Sequence, residues 1–262
     1  MEYKGFAAML ELSAAAYGDN LPVKKGREVR FIDSGKTGIQ LYMECVGKTV
    51  YIAFRGTDSA RDWATDFRFC KKKIPYDNAA PKIRVHGGFI DMYKNPEVRD
   101  AIRYFLPKEA EKVRVTGHSY GAALAVLCAV DLQYNFPEKD FEVVLFGCPR
   151  VGNRAFAQSF NRRVFKTFRV ENGNDIVTKV PFAWMGFRHV GIRVAVGPPR
   201  LPGAISFEAH RPQNYYRGLL RSQVLGRPAS AKIPSWSRYF AARSPAVFGP
   251  GRAPRRWRRC TP

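Results

Sequence analysis

Acidic residues are scarce in this sequence. Its 262 residues include 22 Asp and Glu against 44 Lys and Arg, which gives a formal net charge of +22. Such an excess favours anionic partners, for example phospholipid headgroups or nucleic acid. The basic residues are unevenly distributed, because the stretch from Arg217 to Pro262 contains eleven of them and no acid. The rest of the chain is therefore only moderately basic.

Cysteine is also sparse. The five cysteines are an odd number, lie far apart and include no Cys-x-x-Cys pair, so the sequence contains no zinc-ribbon or dithiol redox motif. We expect them to be buried, reduced thiols. Cys148 follows an apolar run and has no base beside it in the sequence, which disfavours it as a nucleophile. No metal and no cofactor are implied.

Long apolar runs are missing as well. No uninterrupted apolar stretch approaches the roughly 18 residues of a membrane-spanning helix. In the first residues, Glu11 ends the apolar run before it reaches the length of a secretory signal. The sequence therefore predicts a soluble protein, and it favours a cytoplasmic location.

What is present is an ordinary globular composition. Hydrophobic residues make up 45% of the chain and aromatic residues 13%, which is enough for a real core, and we predict a single domain over residues 1–225. Residues 226–262 are rich in Arg, Pro, Ser and Gly and show no helical or strand period, which predicts a disordered basic tail. This tail is either a dispensable extension, the simpler interpretation, or a tether that transiently contacts an anionic membrane surface. It has no recognised nucleic-acid motif, so nucleic acid is not the expected partner.

Strand and helix patterns alternate along the chain. Short runs rich in β-formers predict strands, and longer stretches of helix-forming composition predict helices. The predicted strands are residues 28–33, 39–45, 49–54, 113–116, 143–146, 165–170 and 191–196, and the predicted helices are residues 6–17, 91–105, 121–134 and 212–225. This alternation predicts an α/β fold with a mainly parallel central sheet flanked by helices. In such a fold, catalytic residues lie on loops at the carboxyl ends of the strands.

The strongest local motif is Gly117-His118-Ser119-Tyr120-Gly121, which fits the nucleophile elbow G-x-S-x-G. It follows a predicted strand and opens a helix of small residues, which is the setting that the elbow requires. Because the turn strains the serine backbone, side chains at Gly117 and Gly121 would collide with the neighbouring strand or helix. The motif therefore predicts Ser119 as a nucleophile.

An oxyanion formed at the attacked carbonyl needs hydrogen-bond donors. The backbone N–H of Tyr120 is one candidate, because it lies at the amino terminus of the helix behind Ser119. A second donor must come from another loop at the same sheet end, and Thr57 follows the buried run that ends at Phe54. Thr57 fits equally well as a cap for the segment that follows it, so both interpretations stay open.

The acid and the base of a triad should follow the serine in the order Asp, then His. Asp175 lies beyond a predicted strand and satisfies this order, and two of the four histidines, His189 and His210, come after it. His189 stands where strand 191–196 begins, which is the wrong end of the sheet if that strand is parallel to the others. His210 follows the same strand in a loop that can return over the elbow. We therefore predict His210 as the base and a structural role for His189.

Several motifs, taken in chain order, resemble those of the class 3 lipases, a family that includes fungal triacylglycerol lipases and bacterial and plant relatives. They cover about residues 6–220, although Tyr120 and Ala122 replace the leucine and glycine that are usual in the family. The motifs are Ala14-Ala15-Ala16-Tyr17, Ala53-Phe54-Arg55-Gly56-Thr57, Val85-His86-Gly87-Gly88-Phe89, the elbow with Ala122-Ala123-Leu124-Ala125, Phe146-Gly147-Cys148-Pro149-Arg150-Val151-Gly152-Asn153 and Asn174-Asp175-Ile176-Val177-Thr178-Lys179-Val180-Pro181.

The resemblance implies an α/β-hydrolase fold and a lid that forms or adjoins Asp58 to Arg68, with Trp63 as its apolar contact. The family's triad histidine precedes an Asn-Tyr pair, as His210 precedes Asn214-Tyr215 here. The site residues that the resemblance implies are Ser119, Asp175 and His210 as the triad, and Thr57 with Tyr120 as the oxyanion-hole pair.

These features predict a serine hydrolase that cleaves carboxylic esters of lipids through an acyl-enzyme. Triacylglycerol lipase or esterase is the leading prediction. Phospholipase A or acyltransferase activity at the same site stays open, because the shape of the acyl pocket is not visible in the sequence. A protein of another class, which binds anionic surfaces through the basic tail, is the remaining alternative. The sequence does not indicate an oligomeric state.

Overall fold

The structure is a computed structural model, and it describes residues 3–16, 28–56, 70–74 and 82–221. Thr57, the lid segment from Asp58 to Arg68 and the tail 226–262 lie outside the described residues. The described elements, in chain order, are α1 (Tyr3–Ala15), β1 (Glu28–Asp33), β2 (Gln40–Val46), β3 (Thr49–Phe54), β4 (Lys71–Lys73), β5 (Arg84–His86), α2 (Gly87–Tyr93), α3 (Pro96–Phe105), β6 (Lys112–His118), α4 (Tyr120–Asn135), β7 (Asp140–Phe146), β8 (Gly152–Asn153), α5 (Arg154–Arg163), β9 (Thr167–Asn172), β10 (Phe187–Arg188), β11 (Ile192–Val196) and α6 (Pro212–Arg221).

The central sheet has the order β1-β2-β3-β6-β7-β9-β11. Strands β1, β2 and β3 pair antiparallel, whereas β3, β6, β7, β9 and β11 run parallel. The inner parallel strands are rich in Val, Leu, Ile and Phe because helices cover both faces of the sheet. The predicted α/β class with a mainly parallel sheet is therefore confirmed.

Helices pack on both sides of this sheet. On one face, α4 is buried along most of its length, and Leu124 and Leu127 belong to the same apolar cluster as Val115 of β6 and Val143 of β7. On the other face, α1 and α6 cover β7 and β9 through a second apolar cluster that includes Tyr215. Because α6 belongs to this core, the loop that precedes it is drawn back over the sheet.

Two features differ from the sequence prediction. The predicted helix 91–105 is two helices, because the Asn95 side chain accepts a hydrogen bond from Glu97 N and Pro96 begins a new helix. A small sheet with the order β10-β8-β5-β4 was not predicted. Its strands have only two or three residues, which is too short for an alternating pattern to show.

Candidate active site

Ser119 connects β6 to α4 in a strained turn. Its φ of 60° and ψ of −127° make it the single non-glycine residue with positive φ in the described part of the chain. Backbone strain of this kind costs about 1–3 kcal/mol and persists only where the surrounding structure holds it. Here the Ser119 N–H donates to the Phe146 carbonyl of β7 over 2.9 Å, and the Ser119 carbonyl accepts from Ala122 N. The serine is thus fixed at the carboxyl end of β6.

The two glycines of the elbow are required by close packing. A Cβ atom at Gly117 would lie 2.4 Å from the Gly121 carbonyl oxygen. A Cβ atom at Gly121 would lie 2.6 Å from the carbonyl oxygens of Phe54 and Arg55 at the end of β3. The first turn of α4 therefore rests directly on the strand end that leads to Thr57.

Asp175 and His210 form a buried pair. The Nδ1 atom of His210 lies 2.8 Å from Oδ2 of Asp175, and Asp175 is fully buried. Its Oδ1 accepts a hydrogen bond of 2.8 Å from Val177 N, and the Tyr215 hydroxyl donates to Oδ2. Burial alone would raise the pKa of Asp175, but the His210 imidazole and these hydrogen bonds lower it, so the carboxylate is charged.

Asp175 and His210 both lie on the part of the chain that follows β9. Asp175 lies in the acid loop, defined here as residues Gly173 to Pro181, which begins at the carboxyl end of β9. His210 ends a 3₁₀ turn (Glu208–His210) immediately before α6. Its Nε2 atom and Ser119 Oγ are both buried, and neither has a hydrogen-bond partner among the described residues. The structure thus joins Asp175 to His210, while Ser119 Oγ and His210 Nε2 are not hydrogen-bonded to each other or to any other described residue.

His118 contacts His210 in two ways. Its Nε2 atom lies 2.7 Å from the His210 carbonyl oxygen, and the two rings pack at an interplanar angle of 30° with centroids 4.5 Å apart. Burial, with the neighbouring His210, lowers the pKa of His118 to about 3, so this ring is neutral and donates its Nε2–H. This contact has no local sequence signal, because His118 and His210 are 92 residues apart.

Gly147 and Tyr215 were also not predicted as site residues. Gly147 has a φ of +57°, and a Cβ atom there would lie 2.8 Å from Cε1 of His210 and 3.1 Å from Oδ2 of Asp175. Any larger residue would separate the pair. The single glycine of Phe146-Gly147-Cys148-Pro149, directly after a buried strand, is the signal that could have identified it. Tyr215 gave no local signal, because its partner Asp175 lies 40 residues earlier.

His189 and His86 lie outside this constellation. Strand β11 runs parallel to β9, so His189 lies near the amino end of β11, where the sequence places it. Its Nε2 donates to the Thr178 carbonyl over 2.8 Å, and burial, together with Arg169 and Arg150, lowers its pKa to about 2. His86 caps α2 and accepts a hydrogen bond from Phe89 N. Both histidines therefore have structural contacts.

Of the two predicted oxyanion donors, Tyr120 lies within the described residues and Thr57 does not. Tyr120 is the first residue of α4, where helix N–H groups have no intrahelical acceptor. Thr57 lies outside the described residues, although Gly56 before it is described and follows the strand end on which Gly121 rests. Within the described ranges, no three His, Cys, Asp or Glu side chains are grouped as metal ligands would be, and no helix is long and apolar enough to cross a bilayer.

A strained serine between a parallel strand and a helix, followed by a buried Asp–His pair on later loops, defines an α/β-hydrolase architecture. The family model described as "Lipase (class 3)" matches residues 51–185, just over half of the chain. The chain belongs to the class 3 lipase family, which confirms the resemblance found in the sequence. The family and the chain's fungal relatives are named as lipases, which are carboxylic ester hydrolases, the enzyme class that the sequence predicts.

Similar proteins come from fungi and plants. The chain is 37% identical over 150 residues to a lipase of Rhizomucor miehei, an alignment that covers 55% of this chain and 40% of the relative. It is 33% identical over 153 residues to the chloroplastic phospholipase A(1) DAD1 of Arabidopsis thaliana, covering 51% and 34%. It is 32% identical over 160 residues to a secreted mono- and diacylglycerol lipase of Fusarium solani, covering 59% and 46%. The chain thus spans less than half the length of these curated relatives.

The fold is that of solved lipases. The structure of the Rhizomucor miehei triacylglyceride lipase superposes with a TM-score of 0.66 at 27% identity, and the match covers 74% of this chain and 79% of that one. The predicted α/β-hydrolase fold is therefore confirmed.

The predicted cytoplasmic location is wrong. The relatives include secreted mono- and diacylglycerol lipases of Fusarium solani and Malassezia restricta, which contradict it. The prediction rested on the apolar pattern of the first residues. A secretory segment is separate from the folded domain and is cleaved off, so the sequence of the domain does not indicate the compartment.

Proposed function

We propose that the protein hydrolyses carboxylic esters of lipids, with Ser119 as the nucleophile, His210 as the general base and Asp175 as its carboxylate partner. The observation that supports this proposal most strongly is the buried Asp175–His210 hydrogen bond of 2.8 Å. It fixes the imidazole with Nδ1–H toward the carboxylate, which leaves the lone pair of Nε2 free to accept a proton.

In the proposed mechanism, His210 Nε2 removes the hydroxyl proton of Ser119 as Oγ attacks the ester carbonyl carbon. The tetrahedral intermediate collapses to an acyl-enzyme, and the imidazolium gives its proton to the departing alcohol. Water then attacks the acyl-enzyme with His210 again as the base, and the proton returns to Ser119 Oγ as the acid is released. Asp175 stays ionised throughout and stabilises the imidazolium.

The oxyanion is proposed to be bound by the backbone N–H groups of Tyr120 and Thr57. Tyr120 N–H lies at the positive end of the α4 dipole, next to the nucleophile. The support for Thr57 is indirect: Gly121 contacts the carbonyl oxygens of Phe54 and Arg55, so the chain leaves β3 beside the elbow. Two donors at this position would stabilise the negative charge of both tetrahedral intermediates.

Exposed apolar side chains near the acid loop support a lipid substrate. Trp184 is 82% exposed and stacks on Phe182, which packs against the buried apolar cluster of Ile176, Val177 and Val180. A large exposed indole is typical of surfaces that meet a membrane or another apolar phase. We propose that this region contacts the lipid phase from which the substrate is drawn.

Phospholipase A activity is the second candidate. It is favoured by the 33% identity to a protein named phospholipase A(1), and by the excess of basic residues, which attracts anionic headgroups. Triacylglycerol and phospholipid esters share the acyl-transfer chemistry, so the two candidates differ in which headgroup is accepted.

A fluorophosphonate probe and a set of esters test the proposal. We expect the probe to label one serine, and Ser119→Ala to abolish both labelling and ester hydrolysis, with a loss of up to about a millionfold in kcat. Ser159→Ala, a substitution on α5, is the matched control and should change neither. A chain-length series of esters, with and without a lipid interface, together with a phospholipid, then distinguishes esterase, lipase and phospholipase. Labelling and turnover that survive in Ser119→Ala would refute the assignment.

A further inference from the structure

A cluster of arginines lies beside the acid loop and takes no part in the proposed hydrolysis. The arginine cluster is defined here as Arg150, Arg169, Arg193 and Arg200, gathered around Glu171. The Glu171 carboxylate is 2% exposed, and its Oε2 lies 2.7 Å from Arg193 Nε and 2.9 Å from Arg200 Nη2. Its Oε1 lies 3.3 Å from Arg169 Nε. One buried carboxylate therefore forms ion pairs with three guanidinium groups.

The cluster carries unbalanced positive charge. Three arginines against one glutamate leave a charge of +2, and Arg150, whose guanidinium donates to the Pro181 carbonyl over 3.0 Å, raises it to +3. Among the residues that the structure describes, Glu171 is the one carboxylate ion-paired with any of the four. Placing like charges together away from water is unfavourable unless an anion compensates them.

Arg169 shows where an acceptor is missing. Its side chain is only 7% exposed, yet Nη1 has no hydrogen-bond partner within the described ranges, and Nε has only the ion-pair contact with Glu171. Arg169 also lies directly opposite Arg193 in the parallel register of β9 and β11, an arrangement in which like charges repel. A buried guanidinium N–H without an acceptor is unfavourable, so an anion that accepts from it or compensates its charge would stabilise the arrangement.

The cluster is open to solvent on one side. Arg193 lies on β11, which ends the described sheet, and its side chain is 46% exposed, while that of Arg200 is 34% exposed. Both side chains contact the same oxygen of Glu171, so their guanidinium groups lie next to each other. Planar guanidinium groups in such pairs match the oxygens of a phosphate group.

We propose that the arginine cluster binds an anion of the phosphate class, either a free phosphate or the phosphate of a lipid headgroup. The bound oxygens would accept from Arg193 and Arg200 and would compensate the charge of Arg169. This inference is independent of the proposed hydrolase activity, because none of its residues belongs to the triad.

The same arginines connect the cluster to the acid loop. Arg200 Nε donates to the Gly173 carbonyl and Arg200 Nη2 to Thr178 Oγ1, each over 2.8 Å. The Thr178 hydroxyl in turn donates to the Asp175 carbonyl over 2.8 Å. An anion that holds Arg200 would therefore also stabilise the backbone that carries Asp175.

Binding is tested on the full chain with inorganic phosphate, by calorimetry and by thermal unfolding at constant ionic strength set with NaCl. We expect saturable binding that raises the melting temperature of the wild type. Arg193→Gln should weaken the affinity by about tenfold or more, as expected for a lost charge-assisted contact. Glu171→Gln should instead increase the phosphate affinity, because the carboxylate that competes for the same guanidinium groups is removed.

Arg162→Gln, an exposed arginine on α5, is the matched control for net charge and should bind as the wild type does. All variants keep the basic residues after Arg217, so a difference between Arg193→Gln and Arg162→Gln isolates the cluster. Identical phosphate affinities in these two variants would overturn the proposal, as would a wild type that responds equally to chloride and phosphate. Arg193→Gln changes a half-exposed side chain, so the test stands even if Glu171→Gln fails to fold.

Vesicles distinguish the two sources of the phosphate group. Phosphatidylcholine vesicles that contain phosphatidic acid are compared with vesicles in which a fatty acid supplies the same negative charge. Tighter binding to phosphatidic acid, lost in Arg193→Gln and reduced by inorganic phosphate, identifies the lipid headgroup as ligand. Phosphate binding that depends on Arg193 without any such vesicle effect identifies the free anion. If neither depends on Arg193, the site does not exist.

Discussion

His210 and His189 both follow Asp175, but their hydrogen bonds differ. His210 contacts the carboxylate of Asp175, whereas His189 donates to a backbone carbonyl. We expect His210→Ala to lose about four to six orders of magnitude in kcat with little change in melting temperature. His189→Ala should instead lower the melting temperature and keep most of the turnover. Steady-state kinetics and thermal unfolding of both variants measure this, and the reverse pattern would contradict the assignment.

His118 is expected to position the base. His118→Phe keeps a ring against His210 but removes the N–H that donates to its carbonyl, so a buried acceptor loses its partner. A loss of about 1–2 kcal/mol, or roughly tenfold in kcat with an unchanged KM, should follow. His118→Gln retains an N–H donor and should recover part of the loss. A purely structural role would lower the melting temperature of His118→Phe without changing the kcat of the folded enzyme.

The close contact between α4 and the end of β3 depends on Gly121, so we expect a larger residue there to be destabilising. Gly121→Ala places a methyl group 2.6 Å from the carbonyl oxygens of Phe54, at the end of β3, and of Arg55 after it, so α4 must shift away from the strand. We expect a destabilisation of about 1–3 kcal/mol and slower fluorophosphonate labelling of Ser119. Gly35→Ala is the matched control, because a Cβ atom there meets nothing within 4 Å. Equal melting temperatures in the two variants would show that the contact at β3 is not tight.

Most elements of the central sheet could be predicted because their signals are local. The runs that form β1, β2 and β3 show their period or their continuous apolar character within six or seven residues. The prediction of Asp175 and His210 as site residues used chain order and the sheet end at which a parallel strand begins, and the structure places the two side chains 2.8 Å apart. The signal at Asn95-Pro96, which divides α2 from α3, was present in the sequence and was overlooked.

The rest of the candidate site depends on contacts that no local pattern records. Tyr215 occurs in a helix whose sequence period already explains its burial, and its hydroxyl finds Asp175 only after α6 packs on the sheet. His118 ends a strand whose last four residues are all buried, so its burial likewise gives no functional signal. In both cases the function of the side chain is decided by tertiary packing.

For the whole molecule, the buried neutral histidines predict acid sensitivity. The pKa of His118 is lowered to about 3 and that of His189 to about 2, whereas both titrate near 6.5 in the unfolded chain. Below pH 6.5 the unfolded state therefore binds more protons, so the free energy of unfolding falls as the pH falls. Each histidine contributes a slope of about 1.4 kcal/mol per pH unit until its folded pKa is approached.

Urea unfolding at several pH values between 7 and 4.5 measures this slope. Asp175, whose pKa is also lowered, contributes stability that is lost only when the pH falls below its unfolded value near 3.8, outside this window. His118→Phe and His189→Gln should each remove about half of the slope. A slope that is the same in both variants and the wild type would show that other groups cause the acid sensitivity.

The long-range contacts of the site have a kinetic consequence for folding. The contacts that place His210 join residues 35 and 92 positions apart in the chain, and the strands beneath them pair in parallel. Closing such separations is slow, because chain entropy is lost before the contacts form. During refolding, a reactive serine should therefore return later than the circular dichroism signal of the helices. The rate at which fluorophosphonate labelling returns would then measure how fast the last contacts of the fold form.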